Sequence, residues 1–314
     1  MVLAAIAVGT ALVLVHSEPP PVPEPRDVFG LAGVAALPRP TLPPLLHFNA
    51  RDGTKLGYRD YPASSKRLLI FIHGSSYHGG GYHAQAHTLS ISDTAQVVLP
   101  NLRGHHESGG RPGDVDYIGQ LEDDLADLIE TLNHQGPVFL GGHSSGAGLA
   151  LRFAGGSYAQ LVDGYLLMAP AIPGSPALRE ASGGWAIVHS KRLCGLLFLN
   201  AFGVHRFDGL PVITFNIPPS AKDGTQTVSY SHRLNLSYHP RLPAKRDLAR
   251  LPSETLVLVG GRDEAIDADA LTELFRRNAP EVEVEIVAPL NHFRILVDAG
   301  VLATVQRWLR TTAR

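Results

Sequence analysis

Val138-Phe-Leu-Gly-Gly142-His-Ser-Ser-Gly146-Ala-Gly-Leu-Ala-Leu-Arg-Phe153 runs from an apolar stretch through the pentapeptide Gly142-His-Ser-Ser-Gly146 into a run of small, helix-compatible residues. A G-x-S-x-G between a strand and a helix predicts a sharp turn that holds the serine exposed above the strand ends. The flanking glycines let neighbouring backbones approach where a Cβ would obstruct them. Gly and Ser are common, so the pentapeptide alone is a weak signal. What lies on either side of it decides the fold.

Outward from this turn the chain keeps one rhythm. His47-Phe-Asn-Ala50 and Leu56-Gly-Tyr-Arg-Asp-Tyr61 flank an Asp52-Gly53 turn and read as two strands. Arg67 to His73 is a nearly continuous apolar run, as expected of a strand buried on both faces of a parallel sheet. Similar runs lie at 95–99, 138–141, 162–168, 255–260 and 282–287, and helical periodicity fills 118–132, 145–153, 269–277 and 295–309. Strands alternating with helices predict an α/β fold with a mainly parallel sheet covered on both faces. Residues 170–252 interrupt the alternation. A structureless loop of that length is improbable, so this span is expected to be a cap inserted between core parts 45–169 and 253–314.

The chain has 314 residues, 44% hydrophobic and 18% charged, with a formal net charge of -2. That balance gives no basis for nucleic-acid binding and favours neutral or apolar partners. Cys194 is the single cysteine, which excludes an internal disulfide and a multi-cysteine metal site; its apolar neighbours predict a buried or cap residue. Val2 to Val15 carries no charge and precedes the proline-rich Ser17-Glu-Pro-Pro-Pro-Val-Pro-Glu-Pro25. It is shorter than the ~20 residues of a comfortable membrane span. The expectation is an export signal or membrane anchor, with residues 1–44 forming that segment plus a spacer outside the catalytic fold; otherwise the protein would be cytoplasmic. Oligomeric state is not legible.

A serine hydroxyl needs a base to take its proton, and the base needs a carboxylate to fix its tautomer. Asp263 follows the apolar run 255–260, with Glu264 and Asp267 as nearby competitors, and His292 follows the run 282–287. The order Ser144, Asp263, His292, each after its own strand, is that of α/β-hydrolases. An oxyanion would need two backbone N–H donors. Ser145, next to the candidate nucleophile, and Ser75, in the loop after the strand ending at Ile72, are the expected pair.

The segment His73-Gly-Ser-Ser-Tyr-His-Gly-Gly-Gly-Tyr82 resembles the HG-x-x-x-H-x-x-x-Y signature of monoglyceride lipases and related lysophospholipase-like, serine aminopeptidase-type hydrolases of the α/β-hydrolase superfamily. Arg103-Gly-His-His-Glu-Ser-Gly109 resembles their R-G-H-G-x-S segment, and Gly142 to Gly146 their G-H-S-x-G. The chain departs from the pattern at His106, Asn101 and Tyr77, where relatives carry Gly, Asp and an acidic residue, and its cap matches no motif. The resemblance implies a Ser-His-Asp esterase or lipase acting on lipid-like or other carboxylic esters, without metal or cofactor. An acyltransferase or perhydrolase, an aminopeptidase-type amide hydrolase, and a ligand-binding protein that keeps the fold remain alternatives. His73, Tyr77, His143, Leu196 and Phe198 are candidate substrate contacts. His78, His83 and His87 suggest a metal only by spacing, because no carboxylate or thiol completes the set.

Overall fold

The computed structural model describes residues 2–37, 40–179 and 185–312. Helices α1 (Val2–Val15) and α2 (Leu31–Ala35) precede the sheet. The first part of the core runs through β1 (Leu46–Asn49), β2 (Lys55–Tyr61), β3 (Leu68–Ile72), α3 (His83–Ile91), β4 (Gln96–Pro100), α4 (Gln120–Leu132), β5 (Val138–His143), α5 (Ser145–Ala154) and β6 (Gly164–Met168). The inserted span holds β7 (Ala186–Val188), α6 (Ser190–Ala201), β8 (Pro211–Phe215), β9 (Ser229–Ser231), α7 (His232–Ser237) and α8 (Lys245–Leu248). The core resumes with β10 (Thr255–Gly260), α9 (Ala268–Asn278), β11 (Glu283–Val287) and α10 (Ala299–Thr311).

The main sheet has the order β1-β2-β4-β3-β5-β6-β10-β11, antiparallel only at β1/β2 and β2/β4. Every residue of β3, β5, β6 and β10 is buried, which explains their uninterrupted apolar sequences: both faces are covered by helices. Leu121, Leu125 and Leu128 of α4 pack with α5 and α9 on one face. Ala86 and Leu89 of α3 pack with Val301, Val305 and Trp308 of α10 on the other. The chain leaves β3 toward β4 on one side and β5 lies on the other, so a crevice opens above the carboxyl ends of β3 and β5. Ligands of open α/β sheets bind at such switch points.

The insert folds over that crevice. Its strands form a second antiparallel sheet, β7-β8-β9, which the Pro- and Gly-rich sequence did not announce. Residues 180–184 of the span lie outside the described residues.

The N-terminal segment corrects the expectation of a spacer outside the fold. Ala11 and Val15 of α1 pack on Leu196, Leu199 and Val212 of the cap, and Arg192 donates to the Val15 carbonyl at 2.9 Å. Farther along, Phe29 is buried in the main core. An uncharged helix and an isolated aromatic both gain by covering apolar surface, and here the chain itself supplies it. Among the described residues no helix is long and apolar enough to cross a membrane. Cys194, expected as a buried or cap residue, lies on cap helix α6, where it is exposed.

Candidate active site

Ser144 stands between β5 and α5 with φ 56° and ψ −119°, a conformation that costs a non-glycine residue strain. The surrounding packing makes the turn obligatory. A Cβ on Gly142 would lie 2.3 Å from the Gly146 carbonyl carbon, and one on Gly146 would lie 2.4 Å from the carbonyl oxygens of Ile72 and His73. Only glycines allow α5 to approach β3 and β5 this closely. The Ser144 amide donates to the Met168 carbonyl at 2.9 Å, fastening the turn to β6.

The sequence-predicted partners converge on the same cleft. His292 Nδ1 donates to Asp263 Oδ2 at 2.8 Å, and both side chains are buried. Asp263 Oδ1 accepts from the Ala265 and Ile266 amides at 2.8 and 2.7 Å. Burial alone would push this carboxyl up, but the His292 charge, its hydrogen bond and those two amides hold it below the ordinary aspartate value. The competitors have other positions. Glu264 accepts from the His292 backbone amide at 3.1 Å, whereas Asp267 caps α9 through the Ala270 amide and pairs with Arg179. With Nδ1 committed to Asp263, His292 keeps Nε2 for the cleft that it lines together with Ser144. Among the described residues no hydrogen bond joins the Ser144 hydroxyl to that ring; such contacts commonly tighten only when substrate binds.

Ser75 and Ser145 meet across the cleft floor, their hydroxyls 2.5 Å apart. Ser145 opens α5, so its N–H has no acceptor within the helix. The loop bearing Ser75 is held from several sides. His73 accepts from the Leu102 amide through Nε2 at 3.2 Å, while Tyr238 of the cap donates to the His73 carbonyl at 2.6 Å. Ser76, at φ 71°, donates its amide to Tyr230 Oη at 2.6 Å, and that phenol bonds His105 Nε2 at 2.7 Å. Cap tyrosines therefore hold the loop, a connection between segments far apart in sequence.

The three departures from the family pattern act together. Asn101 accepts from the Gly79 amide through Oδ1 at 2.9 Å and donates through Nδ2 to the His106 carbonyl at 2.7 Å, a donation an ionised aspartate could not make. Tyr77 stacks on His78 with ring centroids 4.3 Å apart, and the His106 ring lies tilted against His78 at 4.6 Å. Burial, then the neighbouring His106, pushes His78 down to about 4.

Above these residues the cleft has two branches, with volumes near 290 and 250 Å³. His73, Tyr77 and His143 line the first, though His73 is occupied in holding the loop and His143 bonds the His292 carbonyl through Nε2 at 2.8 Å. Burial, then the nearby His292 ring, pushes His143 down to about 3, so it is neutral and donates that bond. Leu196 and Phe198 line neither branch. Both belong to the cluster beneath α1, so their assignment as substrate contacts is corrected: their apolar stripe is covered by another helix. Sequence reasoning missed Phe29, Trp185 and His239. His239 Nε2 receives a 3.2 Å bond from the Ser145 hydroxyl, its Nδ1 bonds the Asn235 carbonyl at 2.8 Å, and burial pushes it down to about 4. No local pattern marks such a residue within an unfamiliar cap.

Among the described residues no group of three or more His, Cys, Asp or Glu is arranged to hold a metal ion. His83 instead bonds Tyr61 Oη and the Pro40 carbonyl, each at 2.6 Å.

A Ser-Asp-His order on this sheet defines an α/β-hydrolase, and the signature of the Alpha/beta hydrolase family matches residues 69–305; the chain belongs to that family. It is 31% identical over 113 residues to the lysophosphatidylserine lipase ABHD12 of Gallus gallus, a match covering 35% of this chain and 29% of that relative. The chain thus matches less than a third of that curated relative's length. In structure it is similar to a soluble variant of monoglyceride lipase from Saccharomyces cerevisiae, with a TM-score of 0.65 and 18% identity over 88% of this chain and 100% of that one. It is also similar to a monoacylglycerol lipase from Paleococcus ferrophilus, with a TM-score of 0.63 and 19% identity over 82% and 98%.

Proposed function

We propose that the protein is a serine hydrolase that cleaves lipid-like carboxylic esters, acylglycerols among them, through an acyl-enzyme on Ser144. The observation that carries this reading is the 2.8 Å bond that the His292 ring donates to Asp263, with that ring lining the same apolar cleft as the strained Ser144. His292 Nε2 takes the Ser144 proton as the hydroxyl attacks the ester carbonyl. The amides of Ser75 and Ser145 receive the oxyanion, an interaction for which each donor contributes about 3 kcal/mol in related chemistry. His292 then protonates the departing alcohol, and water, activated by the same ring, releases the acid. The acyl-lipid substrates of the similar lipases and the apolar lining of both branches support a lipid-like acyl group.

Association with a membrane surface through residues 2–15 belongs to the same proposal. It is supported by the exposure of Ile6, Val8 and Val13 on a helix without charge. Flotation with phospholipid vesicles tests it: the full chain should float, and equal flotation after Val13→Asp would contradict it.

Hydrolysis of p-nitrophenyl esters from acetate to palmitate tests the activity. The wild type should release nitrophenol with an optimum at intermediate or long chains, and Ser144→Ala should lower the rate by at least about 10³-fold. Equal rates in the two proteins would reject the reading.

A further inference from the structure

The segment before the sheet crosses the mouth of the cleft as a strap. Its carbonyls are gripped by the cap: Glu18 accepts from His189 at 2.7 Å, and Pro23 accepts from the Asn216 amide group at 2.9 Å. Asp27 then accepts from the Leu31 and Ala32 amides at 2.7 and 2.9 Å, which starts α2, and Gly30 turns the chain at φ 65°. Between them Phe29 is driven inward until 2% of it remains exposed. Its ring centroid lies 5.1 Å from His292, 5.4 Å from Phe293 and 5.5 Å from Trp185. Its carbonyl accepts from the side chain of Asn291, the residue before His292, at 3.3 Å.

The two branches of the cleft divide around this strap. Phe29 lines the branch that holds Ser144 and His292, together with Arg179, Asn235 and His239. Leu31 and Val34 line the other, with Tyr77, Ile217 and Leu296. Gly74, Ser75, Trp185 and Phe293 border both, so the branches meet at the candidate oxyanion loop. An ester bound with its carbonyl there would send its acyl and alcohol portions into different branches.

We infer that the strap is a specificity-determining part of the active site: Phe29 partitions the cleft beside His292, while Leu31 and Val34 wall an acyl-binding branch, leaving the branch with Arg179, Asn235 and His239 for the alcohol portion. This rests on the ester-hydrolase reading. The strap precedes residue 69, where the match to the family signature begins. Charge favours this division: Arg179 lines the branch that holds Ser144 and suits an alcohol bearing an anionic group, whereas the other branch carries Asp223, which repels such a group, beside an apolar stretch of Leu31, Val34, Ile217 and Leu296 that suits a neutral alkyl chain.

Val34→Trp in the full chain tests the inference by filling the acyl branch away from Ser144. Glycerol monoesters of acetate, octanoate and palmitate are compared, and reaction of Ser144 with a methyl phosphonofluoridate, which carries no long chain, is measured alongside. The palmitate-to-acetate ratio of kcat/KM should fall by at least about tenfold, while phosphonylation of Ser144 stays within about threefold of wild type. Phe29→Ala, which joins the branches, should flatten the chain-length profile. Phosphonylation retained with an unchanged chain-length ratio in Val34→Trp would overturn the inference. A wild type that neither hydrolyses the esters nor reacts with the phosphonofluoridate would instead reject the underlying hydrolase reading. If Phe29→Ala does not fold, Leu31→Trp repeats the test in the same branch.

Discussion

The Asp263 carboxylate receives His292 Nδ1–H at 2.8 Å and two backbone amides on its other oxygen. These contacts fix both the carboxylate and the tautomer of the ring. Asp263→Asn can preserve the shape while favouring the wrong tautomer, so kcat should fall by about 10³–10⁴-fold with little change in KM. Steady-state kinetics on one soluble ester checks this, and a loss below about tenfold would exclude Asp263 as the orienting acid.

Stability should fall in mild acid. His78 and His105 are pushed down to about 4, and His143 to about 3, in each case chiefly by burial. Their unfolded values lie near 6.5, so below that pH the unfolded chain binds protons that the folded chain does not. Their contribution is fully present above about pH 6.5 and is lost as pH falls toward the folded values, at up to about 1.4 kcal/mol per pH unit for each ring. Urea unfolding at pH 7.5, 6 and 5 should give a steadily decreasing free energy. A flat profile over that range would contradict it.

The strands and the glycine-flanked turn at Ser144 were legible because each rests on a local signal. Buried parallel strands such as β3 and β5 must be apolar throughout, and the glycines around Ser144 answer a backbone collision that no other residue relieves. Phe29 had no such signal. It sits in a proline-rich segment without periodicity, and its contact with His292 spans most of the chain, so only tertiary packing reveals it. The stripe containing Leu196 and Phe198 read equally well as a ligand surface or as internal packing, and the neighbouring α1 decided for packing.

Gly146→Ala should abolish activity through geometry rather than chemistry. Its methyl group would lie 2.4 Å from two carbonyl oxygens of the β3 end, forcing α5 away and moving Ser144 with it. The expected destabilisation is about 1–3 kcal/mol. Thermal unfolding together with kcat checks both parts, and a fully active Gly146→Ala protein would contradict the close approach.

Tyr230→Phe should loosen the candidate oxyanion loop from the cap side. It leaves the Ser76 amide and His105 Nε2 without their shared phenol, a loss of about 1–3 kcal/mol in stability. Because the loop positions the Ser75 amide, kcat should drop more than KM rises. An unchanged kcat would mean that the cap tyrosine supports folding alone.

The most direct measurement is peptide mass spectrometry after reaction with a fluorophosphonate, in wild type, Ser144→Ala and His292→Ala. The account predicts one adduct, on Ser144, absent from Ser144→Ala and formed at least about 10³-fold more slowly in His292→Ala. An adduct on another residue, or equal rates of Ser144 modification with and without His292, would contradict it.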